Sequence, residues 1–123
     1  MIYLDTNYLI LGLVPGSDEG RDLVTWAKHG EKLVTGVTSW YEFLCGPVSD
    51  AQTRAMQAFV REILPFQEAQ AVAAAKLFNA TGRRRTLRVD CMIAGTALVA
   101  GARIATRNRA DFEVFSPYGV ILA

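Results

Sequence analysis

Apolar and polar positions along the chain fall into two kinds of segment: short, wholly apolar runs and longer stretches with a helical period. Residues 1–5 (MIYLD) form an apolar run closing on a carboxylate, and residues 6–14 (TNYLILGLV) follow without a gap. That join predicts a strand running straight into a helix. Pro15-Gly16 breaks the helix, and Ser17-Asp18-Glu19 is a start signature for a second one over residues 19–29, closed by Gly30. Residues 32–35 (KLVT) predict a second buried strand, and residues 38–45 a short helix stopped by Gly46-Pro47. Ser49 with Gln52 is a capping box that opens a helix over residues 50–63. Residues 64–66 are a brief extended piece, and an Ala-rich helix over residues 68–81 ends at Gly82. A strongly apolar helix spans about residues 87–100 and stops at Gly101, after which residues 103–106 (RIAT) and 118–122 (YGVIL) predict two more strands. Strands that are apolar throughout, alternating with helices, predict a parallel sheet covered on both faces. The fold class is α/β, and residues 1–123 are expected to form one domain.

Composition narrows the picture. Hydrophobic residues make up 51% of the 123, enough for a core, and charged residues 20%, so some apolar surface is free for a partner. The net charge of +1 leaves a nucleic-acid partner to the distribution of charge rather than its sum. No apolar run reaches the ~18–20 residues that span a bilayer, and the opening MIYLD has no basic segment of a secretory signal. Cys45 and Cys91 form no CxxC, so they predict neither a disulfide framework nor a zinc site. They predict two reduced, largely buried thiols in a cytoplasmic protein.

In a parallel α/β fold, ligands bind at the carboxyl ends of the strands. Asp5 ends the first strand, Glu42 lies a turn into the helix after Thr35, and Asp90 sits early in the helix leading to the 103–106 strand. Thr106 ends that strand, with Asn108 and Asp111 in the loop beyond. A parallel sheet would bring the four acids to one rim. Converging carboxylates repel unless a cation compensates, and an all-oxygen donor set suits Mg²⁺ or Mn²⁺. Each acid also has a purely structural reading. Asp5 can cap the first helix, Glu42 can close a capping box with Ser39, and Asp111 can serve turn chemistry. Asp90 is the most informative, because it lies in a helix apolar nearly all round (VDCMIAGTALVAGA), where an unpaired carboxylate is costly.

Four blocks then stand in order. They are Leu4-Asp5-Thr6-Asn7, Thr38-Ser39-Trp40-Tyr41-Glu42, the run from Asp90 to Leu98, and the run from Ala105 to Phe112. Together they resemble the PIN-domain nucleases, above all the VapC-type toxins of toxin–antitoxin pairs, over the whole chain. The resemblance implies a PIN-like three-layer fold with a central parallel sheet and an acidic pocket for one or two Mg²⁺ or Mn²⁺ ions. By position, Asp5, Glu42 and Asp90 correspond to the family's three central acids and Asp111 to the more variable fourth. Thr6 and Thr106 match hydroxyls beside the pocket, and Asn108 a polar loop position. The departures are mild: Gly95 stands where a second Ala is commoner, and Met92 is an ordinary variant.

The expected reaction is hydrolysis of an RNA phosphodiester by an activated water, leaving 5′-phosphate and 3′-hydroxyl ends. Setting the four acids aside leaves 13 basic against eight acidic side chains. Arg83, Arg84, Arg85 and Arg88, with Arg103, Arg107 and Arg109, predict a collar for an RNA backbone, or else an ordinary solvated loop. Tyr8, Trp40 and Tyr41 are expected mainly in the core rather than as stacking platforms for bases. With His29 the only histidine, a two-histidine mechanism is out of reach, and no phosphate-binding glycine loop is present. Two other readings stand beside the toxin: a PIN nuclease of RNA processing or decay, and a non-catalytic acidic pocket for a metal or phosphorylation signal. A receiver-like pocket would need paired acids after the first strand and a late lysine, yet no Lys follows Lys76. The resemblance further implies a tRNA or rRNA substrate, a homodimer and a VapB-type antitoxin carrying the DNA-binding function. No membrane is implied.

Overall fold

A computed structural model describes residues 1–123. In chain order the elements are β1 (Ile2–Leu4), α1 (Thr6–Leu11), α2 (Asp18–Lys28), β2 (Leu33–Gly36), α3 (Val37–Cys45) and α4 (Asp50–Phe59). They continue with β3 (Glu62–Leu64), α5 (Glu68–Ala80), α6 (Arg88–Ala100), β4 (Arg103–Ala105) and α7 (Arg109–Glu113). All strand pairs are parallel, in the order β3-β2-β1-β4. The chain winds from β1 outward to β3, then jumps back to lay β4 on the other side of β1. Ile2 is therefore in register with both Leu33 of β2 and Arg103 of β4. The winding direction reverses at β1, so the carboxyl ends of β1 and β4 open a crevice at the switch point.

Side chains of a strand alternate between faces, and β1 divides its three accordingly. Ile2 and Leu4 join Leu9, Leu23, Phe43 and Met56 in a core beneath α1–α4. Tyr3 faces the other way, into a larger core with Leu77, Ile93, Phe112 and Phe115 from α5, α6 and the C-terminal segment. Both faces are covered, as the continuous apolar strands predict, and no helix is long and apolar enough to cross a membrane.

The structure departs from the sequence expectation in several places. The helix expected over 50–63 ends at Phe59, and Glu62–Leu64 pairs with β2, Val34 opposite Glu62 and Gly36 opposite Leu64. No Gly or Pro marks this break; an edge position beside β2, where Arg61 N–H donates to the Leu33 carbonyl at 2.8 Å, outweighs helix continuation. The strand expected over 118–122 forms only one bridge, Leu122 to Ile104. Pro117 and the left-handed Gly119 (φ 97°) instead hold a one-turn 3-10 helix at Ser116–Tyr118. Finally, α7 occupies what was expected to be loop. Cys45 is also exposed rather than buried, at the end of α3, while Cys91 lies in the core.

The helix bearing Asp90 is set by a close contact. On α6, Gly95 faces α5 so tightly that an added Cβ would lie 2.7 Å from the Ala74 backbone nitrogen and 3.0 Å from its Cα. Backbone atoms cannot rotate away, so Gly95 permits the approach. Gly95→Ala is expected to destabilise the protein by about 1–3 kcal/mol through overpacking. Denaturant unfolding measures this, and an unchanged midpoint would mean that the two helices are not in backbone contact.

Candidate active site

Asp5 stands at the carboxyl end of β1 and serves two structural purposes at once. As the N-cap of α1, its Oδ1 accepts from the Thr6 N–H at 2.7 Å, and its Oδ2 accepts from the Thr106 hydroxyl at 2.8 Å. Asp5 N–H in turn donates to the Ala105 carbonyl at 3.0 Å, tying the ends of β1 and β4. The side chain is 5% exposed. Burial pushes its carboxyl up, the bonds from Thr106 and Thr6 pull against that, and Glu42 adds a smaller upward push. The capping role is therefore real, and it leaves a lone pair free on each oxygen.

Glu42 does not close a capping box. The first helical residue of α3 is Val37, its N-cap is Gly36, and no side chain caps it. Ser39 is committed to Tyr3 instead (2.9 Å). Glu42 is exposed and reaches across to α1, accepting from the Thr6 hydroxyl at 3.0 Å. Thr6 thus supports Asp5 through its backbone and Glu42 through its side chain. On β2, the Thr35 hydroxyl donates to the Leu4 carbonyl at 2.8 Å and fixes the strand ends below the site.

Asp90 lies in the first turn of α6, half-buried rather than enclosed. Burial first, then the charges of Asp5, Asp111 and Glu42, push its carboxyl up to about 6. Four carboxylates therefore share one electrostatic field. Asp111, exposed in the first turn of α7, completes the set. The five ion pairs of the protein involve Glu31 twice, Asp18, Glu62 and Glu19, so no basic side chain neutralises these four acids. Thr106, beyond its bond to Asp5, accepts from the Asn108 N–H at 3.0 Å, which shapes the loop into α7.

Oxygen donors in an unneutralised acidic field fit a hard divalent cation. The shell is open as it stands, since no three His, Cys, Asp or Glu side chains are close enough together to hold an ion.

The expected collar divides in two. Arg84, Arg85 and Arg88 are exposed along the approach to α6. Arg83, at φ 58°, lies over the Phe78 ring at 5.4 Å and bonds Asn79. Arg107 is paired with Glu19, whose side chain is 4% exposed, while Arg103 pairs with Glu31 and Arg109 donates to the Ala123 carbonyl. Of the aromatics, Tyr8 packs on Trp26 and donates to Asp22, and Trp40 packs on Phe43. Tyr41, by contrast, is 68% exposed and not in the core. His29 is exposed, as expected.

A family model of the PIN domain matches residues 2–116. The chain belongs to the PIN domain family. A search of curated protein sequences gave no match. Among solved structures, this PIN domain is similar to a chain of a toxin–antitoxin complex from Klebsiella pneumoniae. The TM-score is 0.75 at 21% identity, covering 100% of this chain and 97% of that one. A chain of VapBC-1 from nontypeable Haemophilus influenzae gives 0.75 at 20% identity, again covering 100% and 97%. FitAcB from Neisseria gonorrhoeae gives 0.72 at 22%, covering 99% and 96%. These likenesses show a shared fold along the whole PIN domain.

The raised carboxyl of Asp90 predicts a pH dependence of stability. Its folded value of about 6 lies above the ordinary 3.8, so the metal-free folded state binds the proton more tightly than the unfolded one. The stabilisation is present below pH 3.8 and fades as pH rises through about 6. Asp90→Asn should therefore raise the stability of the metal-free protein at pH 7, with the gain vanishing at pH 4. Denaturant melts at the two pH values decide this; a variant less stable at pH 7 would show that Asp90 is not strained by its neighbours.

Proposed function

We propose that this PIN domain is a divalent-metal-dependent endoribonuclease and the toxin of a VapBC-type pair. The observation that carries the reading is the set of four unneutralised carboxylates in one field at the switch point of the sheet. Asp5, Asp90 and Asp111 would hold Mg²⁺ or Mn²⁺, with Glu42 completing the shell or orienting a water. When bound, such an ion polarises the scissile phosphate and lowers the pKa of its water. Thr106 and Thr6 keep the carboxylates of Asp5 and Glu42 in place, the outer support that metal ligands require. Asn108 holds the Thr106 hydroxyl through its backbone. Because a water attacks, the RNA 2′-hydroxyl takes no part, and the products carry 5′-phosphate and 3′-hydroxyl ends.

Arg84, Arg85 and Arg88 are the exposed cations that would take the phosphate backbone. Arg83, Arg107 and Arg109 would join them by exchanging their present partners for phosphate. For a protein partner, Ile10, Leu13, Val14, Phe43, Pro47 and Val48 line an apolar groove between α1, α3 and the turn into α4. Ile10 and Val14 in it are nearly half exposed. An amphipathic antitoxin segment would suit this surface. The similar solved structures include a toxin–antitoxin complex and VapBC bound to DNA, from Salmonella typhimurium. In this reading the antitoxin carries the DNA contact. The protein acts in the cytoplasm, as a homodimer, on tRNA or rRNA.

The purified protein is expected to cut structured RNA with Mg²⁺ or Mn²⁺, to stop with chelator, and to lose cutting in Asp90→Asn. Products with 2′,3′-cyclic phosphates, or cutting unaffected by chelator, would overturn the mechanism. Replacing Arg84, Arg85 or Arg88 by Ala should weaken RNA binding and flatten the salt dependence by about one unit of slope for each phosphate no longer neutralised. An unaltered slope in all three variants would remove them from the RNA path.

A further inference from the structure

Tyr3 has a role that the acid cluster does not explain. Its ring lies in the α5–α6 core, and its hydroxyl meets Ser39 Oγ at 2.9 Å beneath the site. Both side chains are wholly buried. The ring also lies close against bare backbone where β2 passes into α3: a Cβ on Gly36 would fall 2.6 Å from the Tyr3 hydroxyl oxygen. Burial pushes the phenol up to about 12, so the hydroxyl keeps its proton at any working pH.

This contact falls on a helix that lacks a side-chain cap. Ser17 caps α2 and Ser49 caps α4, whereas Gly36 offers α3 nothing. The start of α3 follows directly on β2, whose Gly36 pairs with Leu64, and the bond of Tyr3 to Ser39 is the side-chain bond that holds its first turn, one turn ahead of Glu42. The Glu42 carboxylate itself has the one bond from Thr6, so where it lies also depends on how its helix is held. Asp5, two residues after Tyr3, is anchored independently by Thr106 and Thr6. One short piece of β1 thus carries Asp5 and also grips the helix bearing Glu42.

We propose that Tyr3 is a positioning residue that sets Glu42 against Asp5 by clamping the first turn of α3 through Ser39. The proposal rests on the metal-nuclease reading for its purpose, but the clamp itself is testable without metal. Tyr3→Phe keeps the ring and removes one oxygen, leaving the Ser39 hydroxyl buried and unpaired. The double variant Tyr3→Phe with Ser39→Ala removes both hydroxyls and should recover most of the lost stability. It should not recover the clamp.

Hydrogen exchange on the metal-free protein is the first readout. In the single and the double variant, the Tyr41 and Glu42 amides should exchange about 10-fold faster relative to amides of α5 and α6, a local-opening signature. The second readout is titration with Mn²⁺ alone. Tyr3→Phe should weaken binding about 10-fold, the size expected for outer support of a metal ligand, and should have no further effect in a Glu42→Gln background. Unchanged exchange of α3 overturns the proposal. So does an equal loss of Mn²⁺ affinity with and without Glu42, because Tyr3 would then act by another route. A wild-type protein that takes up no Mn²⁺ sinks the metal reading, and the exchange of α3 alone then decides the clamp.

Discussion

The fold turns on the carboxylate of Asp5. It ends β1, starts α1 by accepting the Thr6 N–H, and accepts the Thr106 hydroxyl from the end of β4. A buried carboxylate is expensive unless its lone pairs are satisfied, so these bonds dictate how closely the two strand ends and the helix start may sit. Once they are fixed, the crevice at the switch point has a rigid wall. The other acids arrive on elements whose positions that wall and the two cores define.

The arrangement sets stability against chemistry. The same burial and crowding that push Asp90 up to about 6 cost the folded protein stability at neutral pH. Elsewhere the protein resolves its buried charge: Glu19, nearly enclosed, has Arg107. The four pocket acids have no such partner. Four carboxylates that share one field with no basic side chain among them are the basis of the proposal that a cation from outside compensates them. Asp111 and Glu42 lie exposed at the edge of this field.

Much of this was legible in the sequence because it depends on local pattern. Apolar runs gave β1, β2 and β4, and the acid at the end of one run and early in another helix placed Asp5 and Asp90 on the same rim. What was hidden depends on tertiary partners. The helix pattern carries straight through Phe59, and only the open edge of β2 turns residues 62–64 into a strand. Ser39 and Glu42 spell a capping box, yet Gly36 starts the helix and Tyr3, 36 residues away in sequence, claims the serine. Gly95 looked like a mild departure from the family pattern, and its reason lies in Ala74 on another helix. Composition likewise gave a pool of arginines without showing which ones Glu19, Glu31 and Ala123 would hold.

The most direct test of the account is anomalous diffraction from crystals of the wild-type protein grown with Mn²⁺. The account predicts a peak bonded to carboxylate oxygens of Asp5 and Asp90, with Asp111 or Glu42 drawn inward to close the shell. A saturated crystal with no peak in the crevice, or with Mn²⁺ bound only outside it, would contradict the claim that these four acids form a metal centre.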